Sequence, residues 1–176
     1  MEKEFQKIRK IAVVGAESTG KTSLCMELSE HFGAAWMPEY ARSYISNLNR
    51  RYTWNDVVHI ASVQIRTEKQ YTSPAHPLLF LDTDLVITKV WFEHLWKKCP
   101  SWVDHHIAHA DRLIYFLCDN SLSWEYDPVR ENPDIRDVLM ERYKSIIIQN
   151  NFPYFVVTGK GKARTRNAIK KLTELL

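Results

Sequence analysis

The 176-residue chain is sparing with cysteine, with net charge and with long apolar runs. Its three cysteines, Cys25, Cys99 and Cys118, stand far apart and form no C-x-x-C pair. That excludes a disulfide framework and a zinc knuckle, and fits a reducing cytosol. No apolar run approaches the ~20 residues needed to cross a bilayer. The lead-in from Glu2 to Lys10 is charged, unlike a secretory leader. A cytoplasmic protein with no membrane partner is expected. The net charge of +3 is too small to argue for nucleic acid. Lys160, Lys162, Arg164, Arg166, Lys170 and Lys171 gather near the C-terminus, a cluster read as a solvated helix face. Repeats, low-complexity tracts and linkers are also missing, so residues 1–176 are expected to form one domain with a real core.

Against that plain background one stretch stands out. Gly15-Ala16-Glu17-Ser18-Thr19-Gly20-Lys21-Thr22 reads G-x-x-x-x-G-K-T, a phosphate-cradling loop. The apolar run Ile11-Ala12-Val13-Val14 before it predicts a buried parallel strand. From Lys21 to Phe32, Leu24, Leu28 and Phe32 share one helical face. Consecutive backbone N–H groups at the positive end of a helix dipole suit a triphosphate. Gly15, Glu17, Ser18, Thr19, Gly20 and Ser23 are thereby placed at the nucleotide. Lys21 is expected to reach the β- and γ-phosphate oxygens, and the Thr22 hydroxyl to hold Mg²⁺.

Further strands are predicted at 34–37, 78–82, 113–118 and 154–157, each separated from the next by helical pattern. The helices are expected at 21–32, from Glu39, from Thr53 to about Tyr71, and around 85–96 and 102–110. Two more fall at 134–149 and 164–176. In the fourth of these helices Leu85, Val86, Val90, Trp91, Leu95 and Trp96 make the expected core stripe. Apolar strands alternating with helices imply an α/β fold, a five-stranded parallel sheet with helices on both faces. Ligands then lie beyond the carboxyl ends of the strands.

Other chemistry-bearing residues fall at those ends. Leu78-Leu79-Phe80-Leu81-Asp82 has the four-apolar-then-acid form of a Walker B strand, so Asp82 is the candidate Mg²⁺ ligand beside Thr22, with Asp84 second. The competing reading makes Asp82 or Thr83 a helix cap. Glu39, after the second strand, is placed to accept the proton of an attacking hydroxyl, or else to complement a helix dipole. Arg130 and Arg136 belong to an irregular lid at about 119–136 that brings positive charge over the phosphates. His105 and His109, four apart, could face one metal, but the sequence places no third ligand.

Pro38-Glu39-Tyr40-Ala41-Arg42, Phe80-Leu81-Asp82-Thr83-Asp84 and Trp124-Glu125-Tyr126-Asp127-Pro128-Val129-Arg130, following the phosphate loop in that order, resemble the ribosylnicotinamide kinase domain of NadR-type proteins. The resemblance runs from about Ile11 to Leu176. It implies a P-loop nucleoside/nucleotide-kinase fold that uses ATP and Mg²⁺ to phosphorylate the 5′-hydroxyl of nicotinamide riboside, a step of NAD salvage. By that similarity Glu39 and Arg42 lie at the riboside, Asp82 and Asp84 near Mg²⁺ and the acceptor, and Arg130 and Arg136 in the lid. The loop Gly159 to Arg164 approaches the adenine. Trp36, Tyr40, Tyr44, Trp91 and Trp124 are aromatics able to stack on the cationic nicotinamide ring; Tyr40 and Trp124 lie within the resembling segments and are counted with the substrate contacts. Similar proteins commonly carry an Asp-Gly-x-Arg run in the lid, where this chain has Asp127-Pro128-Val129-Arg130. The chain has no room for the DNA-binding and adenylyltransferase domains of full-length NadR, so a stand-alone kinase or an excised domain is expected. No feature sets an oligomeric state.

Two other classes compete with this reading. An NTP-hydrolysing switch is opposed by the absence of N-K-x-D and D-x-x-G elements. An RNA-binding module rests on the basic C-terminal helix alone.

Overall fold

The computed structural model describes residues 8–71, 77–125 and 133–176. In chain order it contains β1 (Arg9–Gly15), α1 (Lys21–Phe32), β2 (Ala35–Met37), α2 (Tyr40–Ser46), α3 (Trp54–Tyr71) and β3 (Leu78–Asp82). Then follow α4 (Leu85–Trp96), α5 (Ser101–Ala108), β4 (Ile114–Cys118), α6 (Arg136–Gln149), β5 (Tyr154–Val157) and α7 (Gly161–Thr173). All strand pairs are parallel, in the order β2-β3-β1-β4-β5. This is the P-loop nucleoside/nucleotide-kinase fold expected from the sequence.

Side-chain alternation along the strands divides the core into two layers. Ala12, Val14, Tyr115 and Leu117 face α3, α4, α5 and α6. Ile11, Val13, Phe80, Ile114 and Phe116 face α1 and α7. Both layers are dry, which is why the strands read as continuous apolar runs. Gly33 (φ 57) closes α1 through N–H bonds to Glu30 and Ser29, the left-handed cap expected of a glycine. At the start of α3 the Asp56 carboxylate accepts from both the Thr53 N–H and the Thr53 hydroxyl, each at 2.7 Å. That is the back-reaching half of a capping box.

Three expectations shift. In α4 the buried set includes Phe92, wedged against Trp54 with ring centroids 4.6 Å apart, whereas Leu95 is 43% exposed. The helix ends at Trp96, where the pattern predicts, because Lys97 turns left-handed (φ 57); the Pro100 read as its stop lies beyond that turn. The 3₁₀ turn Pro133–Ile135 delays α6 to Arg136, and α7 begins at Gly161, three residues earlier than expected. Among the described residues no helix is long and apolar enough to cross a membrane.

A buried ionic cluster lies between α3, α4 and β4. The Arg112 guanidinium donates to both oxygens of Glu68 at 2.8–2.9 Å and to Asp84 Oδ2 at 2.8 Å. Lys10 adds a bond to Glu68 at 2.8 Å. The Arg112 side chain is 6% exposed. Arg112→Ala leaves buried Asp84 without its cation and Glu68 with Lys10 alone, and is expected to cost about 3–5 kcal/mol, the usual penalty for removing one partner of a buried pair. Chemical denaturation measures it; a loss under about 1 kcal/mol, the worth of an exposed pair, contradicts the account.

Candidate active site

Strand β1 has β3 on one side and β4 on the other, so chain connections leave its carboxyl end in opposite directions and open a crevice there. The loop from Gly15 to Gly20 lines that crevice. At Gly15 (φ 155) an added Cβ would meet the Cys118 carbonyl and Thr19 Oγ1, both at 2.8 Å, so only glycine fits. Gly20 (φ 69) is the N-cap of α1 and supplies no capping side chain. The first-turn N–H groups of α1 therefore remain available to an anion. Thr19 braces the loop from within, its hydroxyl donating to the Ala16 carbonyl at 2.7 Å. Lys21 Nζ donates to the same carbonyl at 2.9 Å.

Asp82 closes β3 at 1% exposure and accepts from the Thr22 hydroxyl at 2.6 Å through Oδ2. Its Oδ1 is buried without a hydrogen-bond partner. Burial pushes the Asp82 carboxyl up from its ordinary range, opposed by Thr22, Lys21 and Arg42. An orphaned carboxylate oxygen beside a hydroxyl is a donor set that fits a hard divalent cation such as Mg²⁺, which completes its shell with water and phosphate oxygens.

Neither Asp82 nor Thr83 caps α4; Asp84 does, accepting from Val86 N at 3.1 Å. Asp84 also takes Arg112 and the Tyr115 hydroxyl, the latter at 3.3 Å. Between the two acids Thr83 adopts φ 82, unusual for a β-branched residue. Its N–H donates to Val13 O and its carbonyl accepts from Gln64 Nε2, both at 3.1 Å. This turn aims the two aspartates differently, Asp82 at the crevice and Asp84 into the core.

Glu39 sits at the N-cap of α2 but makes no side-chain capping bond. It is half-buried, and desolvation raises its pKa above the ordinary glutamate value. Lys21 and Arg42 pull it down, while Asp82 and Glu17 push it further up. These five charged groups therefore form one electrostatic unit.

A cavity of about 350 Å³ joins these pieces. The phosphate loop from Gly15 to Ser23 lines it together with Glu39 and Arg42. Apolar and aromatic side chains complete the lining, among them Tyr52, Ile87, Val90, Trp91, Leu139 and Tyr143. A small side pocket of about 30 Å³ holds Glu39, Tyr40, Asp82 and Thr83. Of the apolar and aromatic lining of the larger cavity only Trp91 is a sequence candidate for stacking; Ile87, Val90, Leu139 and Tyr143 are ordinary helix residues until α4 and α6 converge, and Tyr52 lies in the segment before α3.

The remaining sequence candidates stand apart from the cavity wall. Asp84 is turned into the Arg112 cluster, and Trp124 and Gly159 do not line the cavity. Arg164, expected to open the closing helix where the loop near the adenine ends, lies in the first turn of α7, 4% exposed, with its Nη2 on the Thr19 carbonyl of the phosphate loop. Arg136 donates to Leu122 O at 2.9 Å and Ser18 O at 3.4 Å. Ser18 in turn bonds the backbone of Glu125. Residues 119–125 thus rest against the phosphate loop. Arg130 and the rest of Asp127-Pro128-Val129-Arg130 lie outside the described residues. His105 and His109 stack with ring centroids 4.2 Å apart, and among the described residues no metal-binding group of three His, Cys, Asp or Glu occurs.

A G-x-x-x-x-G-K-T loop at the sheet's switch point, with an acid closing the neighbouring strand, defines a P-loop nucleotide-binding protein of the nucleoside- and nucleotide-kinase fold. A family model described as an AAA domain (AAA_28) matches residues 10–166, and the chain belongs to that family.

Similar proteins agree with the NadR-type resemblance. The chain is 25% identical over 130 residues to the trifunctional NAD biosynthesis/regulator protein NadR of Salmonella typhimurium. It is 26% identical over 127 residues to the protein of that name from Escherichia coli. Each match takes in 70% of this chain and 31% of the relative, so the chain spans about a third of the length of the curated relatives it matches. A crystal structure of NadR protein in complex with NR superposes with TM-score 0.82 at 21% identity, covering 97% of this chain and 52% of that one. Deoxyadenosine kinase from M. mycoides gives TM-score 0.67 at 17% identity over 94% and 99%. These likenesses establish the fold.

Proposed function

We propose that the chain is an ATP-dependent kinase that transfers the γ-phosphoryl group to the 5′-hydroxyl of nicotinamide riboside, giving nicotinamide mononucleotide. The observation that carries this reading is one cavity of about 350 Å³ lined both by the phosphate loop and by aromatic and apolar side chains such as Tyr52, Trp91 and Tyr143. Its volume suits a small-molecule ligand, and the aromatic part of its lining offers stacking faces for a nucleoside. The NadR relatives and the NR-bound neighbour support the choice of acceptor.

In this reading Lys21 and the loop amides hold the triphosphate tail and take up charge as the γ-phosphoryl group moves. Glu39 accepts the proton of the 5′-hydroxyl, and Arg42 beside it steadies the acceptor. Arg136, already at the loop through Ser18, brings positive charge from the lid root. Asp84 serves by capping α4 and anchoring the turn that aims Asp82. Trp91 faces the acceptor's ring; its indole N–H donates to the Tyr52 hydroxyl at 3.2 Å, which fixes a face for a cationic ring. Mg²⁺ held by Thr22 and Asp82 would neutralise charge on the β- and γ-phosphate oxygens. Asp82→Asn is expected to lower turnover about 10²-fold at fixed Mg²⁺ and to move half-saturation by Mg²⁺ upward, as loss of a metal-side charge should. A magnesium titration checks it, and an unchanged titration removes Asp82 from the metal.

The direct test offers Mg-ATP with a panel of nucleosides and reads phosphorylated product by mass spectrometry. Nicotinamide riboside should have the highest kcat/KM. Turnover of a different nucleoside with none of nicotinamide riboside would overturn the acceptor and leave the reaction class.

A further inference from the structure

Arg164 has an unusual position for an arginine. It is 4% exposed in the first turn of α7, and its Nη2 donates to the backbone carbonyl of Thr19 in the phosphate loop. Its Nε and Nη1 are buried without hydrogen-bond partners, and no carboxylate among the described residues pairs with it. A buried, unpaired charge costs several kcal/mol, and an apolar side chain of similar volume would leave the fold as stable or more so. A stabilising partner for this charge is therefore to be sought outside the protein.

The backbone indicates where. Among the described residues every peptide bond is trans, so a carbonyl and the N–H that follows it point in opposite directions. Holding the Thr19 carbonyl toward the interior turns the Gly20 N–H outward, to the cavity that Gly20 lines. In the low-dielectric interior behind the loop the guanidinium charge is weakly screened.

We infer that Arg164 is a positioning residue for a bound polyphosphate: from behind the loop it fixes the Thr19–Gly20 peptide with its N–H toward the phosphates, and the phosphates supply the counter-charge it otherwise lacks. The inference rests on the nucleotide-binding reading above and adds a residue that touches no ligand.

Calorimetric titration of the full chain with Mg-ATP, ADP, inorganic tripolyphosphate and adenosine tests it, alongside thermal melts of the ligand-free protein. Arg164→Met should bind ATP, ADP and tripolyphosphate about tenfold more weakly, the worth of one charge-assisted hydrogen bond. Its adenosine affinity should not change. Its ligand-free melting temperature should stay within about 3 °C of wild type, because the charge lost was unpaired. Arg164→Gln, which keeps a donor for the Thr19 carbonyl without the charge, should fall between. Unchanged ATP affinity, equal losses for ATP and adenosine, or a ligand-free Arg164→Met chain that melts much lower or fails to fold would each assign Arg164 to packing and overturn the inference. A wild-type chain that binds neither ATP nor tripolyphosphate would instead sink the nucleotide reading on which it rests.

Discussion

Lys21→Ala should lower phosphoryl transfer by about 10³-fold or more, the scale seen when a cationic clamp on the transferring group is removed. Lys21 is the first residue of α1, so its backbone already belongs to the anion-binding turn. Its ammonium rests on the Ala16 carbonyl within the loop, and the residue lines the cavity. The same charge offsets part of the burial cost of Glu39 and Asp82. Removing it therefore withdraws charge stabilisation from the migrating group and also favours protonation of both acids. The loss should appear mainly in kcat at saturating ATP, since the loop amides still bind the nucleotide. Steady-state rates with a thermal melt as control decide it. A folded variant within about tenfold of wild type would show that the ammonium does not act on the transferred phosphoryl.

Glu39→Gln is the second large effect, a fall in turnover of about 10²-fold or more if Glu39 takes the hydroxyl proton. It carries a pH signature. A general base works only when ionised, and burial raises the Glu39 pKa above the ordinary glutamate value, with Lys21 and Arg42 limiting the rise. Activity should therefore fall on the acid side as pH drops through a range higher than an exposed glutamate would give. The Gln variant should lose that acid limb along with its rate. Turnover and pH profile both unchanged would remove Glu39 from the chemistry and leave it a helix-start acid.

The parts of this site that were legible in the sequence are those in which the backbone does the work. Gly15 and Gly20 announce the loop because a Cβ at φ 155 would strike the Cys118 carbonyl and because φ 69 at the N-cap favours glycine. Asp82 is legible because an acid after four buried apolar residues has few reasons to be there. Asp84 carries the same sequence signal, yet its role depends on Arg112, which lies 28 residues away and reaches it only through the fold. The acceptor wall shows the limit most clearly. Val90 and Trp91 read as core residues of one helix stripe, and a helix pattern does not tell a face that meets another helix from one that meets a cavity. Leu95 and Phe92 exchange places for a related reason: α4 is apolar on more than one side, so its moment does not choose the buried face. The start of α7 shifts from Arg164 to Gly161 because Gly159 and Gly161 suggest a longer connection than the one that forms.

The central claim is that the triphosphate and the acceptor meet in one cavity, so that the γ-phosphoryl group passes to a sugar hydroxyl. Incubating the protein with γ-labelled Mg-ATP, with and without nicotinamide riboside, tests this most directly. The account predicts that label accumulates on nicotinamide mononucleotide in step with ADP, with little inorganic phosphate released when acceptor is absent. Label released as inorganic phosphate at the same rate with and without any nucleoside acceptor would contradict it.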